Sequence, residues 1–385
     1  MKPETRSAIR YGLTVFVVLR LSLLVLGLVG LELFPPLRPV SVPGWAAHPL
    51  PDPGWHNAVT AWERFDALWF LRIAAAGYRS GDGSAAFFPL YPLAVRATSW
   101  VMGHHPLAAA LLVSNAAAAA SLCVLYALTA AERSEETARR TVLFLGTFPT
   151  AFFLLAPYSE SLYLLLVLIA FRAARSGRWG VAGAAGAGAA LTRSVGIVLA
   201  LALVVEAVQR RRDQGQPLLP GLAAGLATGL GTMAYLGFWA LRAGPWLAPV
   251  RQQADWQRVS SPPWTTLVEG TRFAFRYLGN ANGGYWTIDW LVTVLVVGLS
   301  IYAAVRYRPS YVVFLWGSLL VPLFYIFPGR PLMSMPRFAL PLFPAFWALA
   351  ELSERWRIPD AAIAAIGAAG LGVLGVLFVN WYYIF

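Results

Sequence analysis

The segment Arg64-Phe65-Asp66-Ala67-Leu68-Trp69-Phe70 is followed closely by Gly77-Tyr78 and Phe87-Phe88-Pro89-Leu90-Tyr91-Pro92. Together they set one carboxylate among aromatic side chains just after a long apolar run. A hydroxyl is a poor nucleophile near neutral pH, and a positioned carboxylate that takes its proton in the transition state contributes about 10² to 10⁴ in rate. Asp66 is the candidate base; the competing reading is a membrane-surface acid paired with Arg64, Arg72 or another span. Glu160, behind Pro157-Tyr158-Ser159, either caps a helix N-terminus or accepts hydrogen bonds from a substrate. Arg193, Arg330 and Arg337 stand in short connections where basic residues are otherwise sparse, so each calls for an anionic partner.

The elements that must carry these residues are membrane spans. Of 385 residues, 58% are hydrophobic and only 12% charged, and apolar runs near twenty residues recur from end to end. That composition describes an all-α polytopic membrane protein with no room for a large soluble part, so one domain over 1–385 is expected. The net charge of +12 comes from 29 Arg and a single Lys, scattered as pairs and triplets between apolar runs. Such scatter argues for membrane topology and against nucleic-acid binding.

The first run, 11–33, follows Lys2, Arg6 and Arg10 and reads as an uncleaved span with a cytoplasmic N-terminus. Further spans are expected near 106–131, 140–156, 159–175, 178–193, 195–209, 218–242, 286–305, 311–328, 337–351 and 360–380, eleven with the first. The N-terminus and the alternate loops with Arg133/Arg139/Arg140, Arg172/Arg175/Arg178, Arg210/Arg211/Arg212, Arg306/Arg308 and Arg355/Arg357 hold 16 of the 30 basic residues. Those loops therefore face the cytoplasm and the C-terminus lies outside. Between 178 and 209 the two spans reach only about 24 Å each against a core of about 30 Å, as a tilted or re-entrant pair would. This puts Arg193 at their outer end or within the membrane, facing protein or water.

Two long external segments, 34–105 and 243–284, read as ordered caps. Residues 62–76 and 90–102 form interfacial helices in the first of them. The Gly- and Ala-rich stretches 180–186 and 367–375 are packing faces between spans. Cys123 has no Cys or His at ligand spacing and reads as a small buried residue. His48, His56, His104 and His105 include one adjacent pair but no carboxylate beside it, so neither a metal nor a cofactor is expected.

The Asp66 segment, Gly77-Tyr78 and Phe87 to Pro92 are followed in order by four more motifs. These are Phe148-Pro149-Thr150-Ala151-Phe152-Phe153, Tyr158-Ser159-Glu160-Ser161, Leu191-Thr192-Arg193 and Ser334-Met335-Pro336-Arg337-Phe338. This series, from about 60 to 345, resembles the PIG-V family of mannosyltransferases, which includes the eukaryotic GPI mannosyltransferase 2 enzymes and bacterial relatives. The resemblance implies a glycosyltransferase of the GT-C type: a multi-span enzyme whose first large external loop carries a catalytic acid. It also implies a polyprenyl-phosphate mannose donor, dolichyl-linked in the eukaryotic relatives, and an α-mannoside product formed with inversion.

On that reading Asp66 is the catalytic base, and Arg337, Arg193 and Arg330 bind the donor phosphate. Glu160, Trp69, Tyr91 and Tyr158 meet the sugar or the acceptor, although interfacial Trp and Tyr also serve as plain membrane anchors. Of nine acids assigned to the external side (Glu32, Asp52, Glu63, Asp66, Asp82, Glu160, Asp255, Glu269 and Asp289), only Asp66 and Glu160 combine an apolar setting with a motif. The partners are then the lipid-linked donor, a lipid, glycan or protein acceptor and the membrane lipids, with the active site on the extracytoplasmic face of a plasma membrane. Two other classes fit a polytopic basic chain, a lipid or solute transporter and a catalytically dead scaffold; long unequal external loops and the lack of an internal repeat weigh against the transporter.

Overall fold

The computed structural model describes residues 3–47, 54–242, 245–280 and 285–384. Among these residues the regular structure is helical apart from two short antiparallel strand pairs. Among the described residues five helices are long and apolar enough to cross a membrane: α1 (Pro3–Leu33), α5 (Pro106–Glu132), α10 (Leu219–Leu241), α13 (Trp286–Arg306) and α17 (Asp360–Val379). The chain is thus an all-α, multi-pass membrane protein.

The other expected spans come out short. Helices α7 (Glu160–Arg175), α8 (Trp179–Thr192), α9 (Val198–Gln214), α14 (Pro309–Leu323) and α16 (Phe343–Arg355) reach only about 20 to 26 Å at 1.5 Å per residue. The stretch expected to span at 140–156 does not do so as one helix. It divides into α6 (Glu135–Gly146) and a 3₁₀ turn, Ala151–Leu154, because Pro149 lacks the N–H that would continue α6. The helices therefore do not confirm the expected count of eleven spans.

The first long segment folds as a hairpin of β1 (Ser41–Val42) and β2 (Trp45–Ala46), then α2 (Asn57–Thr60), α3 (Asp66–Ala76) and α4 (Leu90–Val101). Helix α4 has the amphipathic surface placement its sequence implies, with Tyr91 and Val95 buried and Leu93 and Trp100 exposed. Helix α3 does not, because residues 67–74 are all buried and α4, α5 and the hairpin pack around it. Arg72, which made this helix look amphipathic, is itself buried and donates to the Gly77 carbonyl at 3.0 Å and to the Asp82 carboxylate.

The second segment supplies α11 (Ala248–Asp255), β3 (Val259–Ser260) and α12 (Pro263–Arg276). Strand β3 pairs with β4 (Tyr325–Ile326), placing Val259 opposite Ile326 and Ser260 opposite Tyr325. The single-turn helix α15 (Met335–Ala339) precedes α16.

Small residues do join spans, as the Gly and Ala pattern implies. Helices α8 and α10 lie so close that a Cβ added at Gly231 would stand 2.6 Å from the Ala187 carbonyl oxygen. Gly231→Ala should therefore cost about 1 to 3 kcal/mol, seen as a lowered melting temperature in detergent. Gly229, with nothing within 4 Å of an added Cβ, supplies the control: Gly229→Ala should melt like the parent. Equal melting of the two variants would deny the close approach.

Candidate active site

Asp66 is the first residue of α3, and the chain enters that helix through Phe65 at a φ of 52°. A bulky residue there is costly unless its surroundings hold it. They do: the Phe65 ring is wedged among Phe378, Trp381 and Tyr383, with centroids at 5.9, 5.4 and 5.4 Å. Arg64, wholly buried, donates from Nε to the Val379 carbonyl at 2.8 Å, and its guanidinium lies 4.6 Å over Trp381. This kink turns Asp66 into a cavity of about 400 Å³ bounded by both long connecting segments and the ends of α7, α8, α10 and α14. The Asp66 side chain keeps 23% of its surface exposed, enough for a hydroxyl to reach it.

The motifs separated in sequence meet here. Arg337 on α15 donates from Nη1 to Asp66 Oδ2 at 2.5 Å and from Nε to Glu160 Oε1. Arg193, at the apex between α8 and the 3₁₀ turn Ser194–Ile197, donates to the same Glu160 oxygen and to Ser159 Oγ at 3.3 Å. Thr150 ties the Phe148 motif to the Ser334 motif by donating to the Pro336 carbonyl at 2.8 Å. Burial works against charge on Arg337, yet Glu160 and Asp66 outweigh it and hold the guanidinium protonated beyond its ordinary range.

Asp66, Arg193 and Arg337 all line the cavity. The other assignments do not reach its wall. Glu160 is fully buried behind it, where it fixes the two arginines instead of offering itself to a sugar. Tyr158 is buried, donates to the Arg64 carbonyl at 2.9 Å and turns its ring toward Arg337 at 4.7 Å. Tyr91 is buried against Ser114 Oγ at 2.7 Å, and Trp69 stacks at 5.5 Å on Phe87, which is the residue that faces the cavity.

Arg330 is engaged elsewhere. It grips Asp289 with two hydrogen bonds, 2.5 and 2.9 Å, and reaches the Ile384 carbonyl at 2.9 Å. It pins the residues after α17, and so supports Tyr383, which does line the cavity. His48, Asp52 and the side chain of Asp255 lie outside the described residues.

The residues that sequence reasoning missed are Arg258, Trp256 and Tyr383. Arg258 precedes β3, and the β3–β4 pairing holds its stretch of chain across the cavity. Burial pushes its guanidinium below the ordinary value, with Asp66 the first opposing influence. Its place in the second long segment was visible, but not its convergence on Asp66. The guanidiniums of Arg193, Arg258 and Arg337 thus converge with Asp66 around the cavity, with Glu160 behind its wall. Away from this polar end the lining is apolar, running through Val195, Leu236, Val250, Val321 and Pro322.

Among solved structures, the chain is similar to the Archaeoglobus fulgidus oligosaccharyltransferase. The two are 13% identical, with 96% of this chain and 53% of that one covered and a TM-score of 0.45. It is also similar to ArnT from Cupriavidus metallidurans bound to undecaprenyl phosphate, at 16% identity with 96% and 76% covered and a TM-score of 0.49. The chain spans about half the length of the oligosaccharyltransferase. No curated protein matches it. The model of the PIG-V mannosyltransferases matches residues 14–212, starting earlier than the motif series and ending before the Ser334 motif. That match takes in more than half of the sequence, and the chain belongs to the PIG-V family of mannosyltransferases.

Proposed function

We propose that the cavity transfers mannose from a polyprenyl-phosphate mannose to an acceptor hydroxyl, as a GT-C type enzyme, with Asp66 as the base. The observation that carries this reading is one wall bearing Asp66 beside Arg193, Arg258 and Arg337, continuous with an apolar lining suited to a prenyl chain. The acceptor oxygen attacks the anomeric carbon and its proton passes to Asp66. The bond from that carbon to the phosphate oxygen breaks, and polyprenyl phosphate leaves with the electron pair. One displacement inverts the anomeric centre, so a β-linked donor gives an α-mannoside.

The leaving phosphate needs charge stabilisation more than a proton, which arginines supply in a water-poor site. Arg337 holds Asp66 Oδ2. A donor phosphate competes for that guanidinium and loosens the carboxylate for its task, so the base is released by the substrate it serves. The whole chain acts as one catalytic domain. Its site lies on the extracytoplasmic face of the plasma membrane, with the N-terminus in the cytoplasm and the C-terminus outside, as the arginine distribution supports.

The test is transfer of radiolabelled mannose by the purified protein to membrane-derived acceptors, from a short-chain polyprenyl-phosphate mannose and, in parallel, from GDP-mannose. Product only from the lipid-linked donor is expected. Product from GDP-mannose alone would overturn the donor assignment, and translocation of the donor across liposomes without transfer would replace the enzyme by a transporter.

A further inference from the structure

At the other end of α3 from Asp66 lies a second cavity, about 480 Å³, lined by Ile73, Gly77, Tyr78, Leu191 and Phe238 with Arg96 and Arg242 at its edge. No carboxylate is among its lining residues. Among the described residues neither arginine is in an ion pair; the Arg96 guanidinium lies 5.9 Å from the Trp100 ring and that of Arg242 5.4 Å from Phe238. Leu93 in its lining, Trp100 against Arg96 and Leu241 next to Arg242 are apolar and exposed, as side chains that face lipid are.

A thin wall separates this cavity from the catalytic one. Phe88 faces one side and Tyr235 the other, their ring centroids 4.7 Å apart. The hydroxyls of Tyr78 and Tyr235 both donate to the Phe87 carbonyl, at 2.8 and 2.9 Å. The wall is thus tied to α10 from the second cavity's side.

We propose that this second cavity holds an anionic phospholipid of the bilayer, its phosphate between Arg96 and Arg242 and the start of its chains in the apolar recess. Two cations without a carboxylate match a headgroup of net negative charge. A zwitterionic headgroup brings its own cation to the same place and gains less. The exposed apolar side chains around it make the bulk phospholipid the occupant. The proposal does not depend on the chemistry assigned to the catalytic cavity, and its test reads binding, not transfer.

The delipidated full chain in detergent is titrated with dioleoylphosphatidylglycerol, dioleoylphosphatidylcholine and a short polyprenyl phosphate, and bound lipids are counted by native mass spectrometry. Wild type should retain one phosphatidylglycerol about tenfold or more tighter than phosphatidylcholine, the scale of two arginines at a membrane surface. Arg96→Gln with Arg242→Gln should lose that margin, Ala76→Trp should lose the lipid by filling the recess, and Asp66→Asn should keep it. Equal retention of the two phospholipids by wild type, or unchanged phosphatidylglycerol binding in both cavity variants, overturns the proposal. Polyprenyl phosphate displacing phosphatidylglycerol at lower concentration overturns it too, and hands the site to the lipid carrier.

Discussion

Asp66→Asn should lower single-turnover mannose transfer by about 10² to 10⁴, the contribution of a positioned general base, while the protein still folds. Asparagine keeps the shape of the side chain and removes its ability to take a proton. Stability should change little, because Arg337 keeps its contact with Glu160 and the Asp66 side chain is in part exposed. Donor affinity should hold or improve, since Arg337 no longer divides itself between a carboxylate and the phosphate. Transfer and donor binding measured on the same preparation separate these effects. Full transfer by the variant would move the base elsewhere and make Glu160→Gln the next variant to assay.

Arg337→Gln should fail in both respects at once. It removes the cation that two carboxylates share, leaving Glu160, which is fully buried, to Arg193 alone. Breaking a buried ion pair by removing one partner costs about 3 to 5 kcal/mol, so the melting temperature should fall clearly. Transfer should drop by about 10² to 10³ in addition, the scale of one lost charge stabiliser in a water-poor site. Arg337→Lys should not rescue it, because the arginine meets Glu160 through Nε and Asp66 through Nη1, a fork that an ammonium cannot reproduce. A variant with parental melting and parental transfer would remove Arg337 from both roles.

The fold was legible where composition alone decides it. Helices such as α5 and α17 need only length and apolarity, and both ends came out within a residue or two. The stretch at 140–156 misled because hydropathy runs smoothly across Pro149 while the backbone hydrogen bonds do not. The place of Asp66 at the cavity was legible because an acid among aromatics is rare and has few uses.

Arg330 and Arg337 look alike in sequence, both being arginines next to a proline in stretches expected to be external. What separates them is that Asp289, early in α13, faces Arg330, which is a matter of helix packing. Trp69, Tyr91 and Tyr158 do not line the cavity for a related reason: an aromatic residue in a motif packs a core as readily as it meets a ligand. Arg258 escaped because its position is set by two strand residues pairing with 325–326, a contact that leaves no local mark in the sequence.

The wedge of Phe65 between Phe378, Trp381 and Tyr383 orders events in time. The Nε of Arg64 is held by a carbonyl 315 positions later in the chain. At roughly 5 to 20 residues per second of synthesis, α3 waits on the order of tens of seconds for the residues that complete its N-terminal kink. Until α17 and the turn after it have docked, the Phe65 ring and the Arg64 Nε lack the partners that complete this kink, although the Tyr158 hydroxyl already reaches the Arg64 carbonyl. The aim of Asp66 into the cavity is therefore completed only late in the synthesis of the chain.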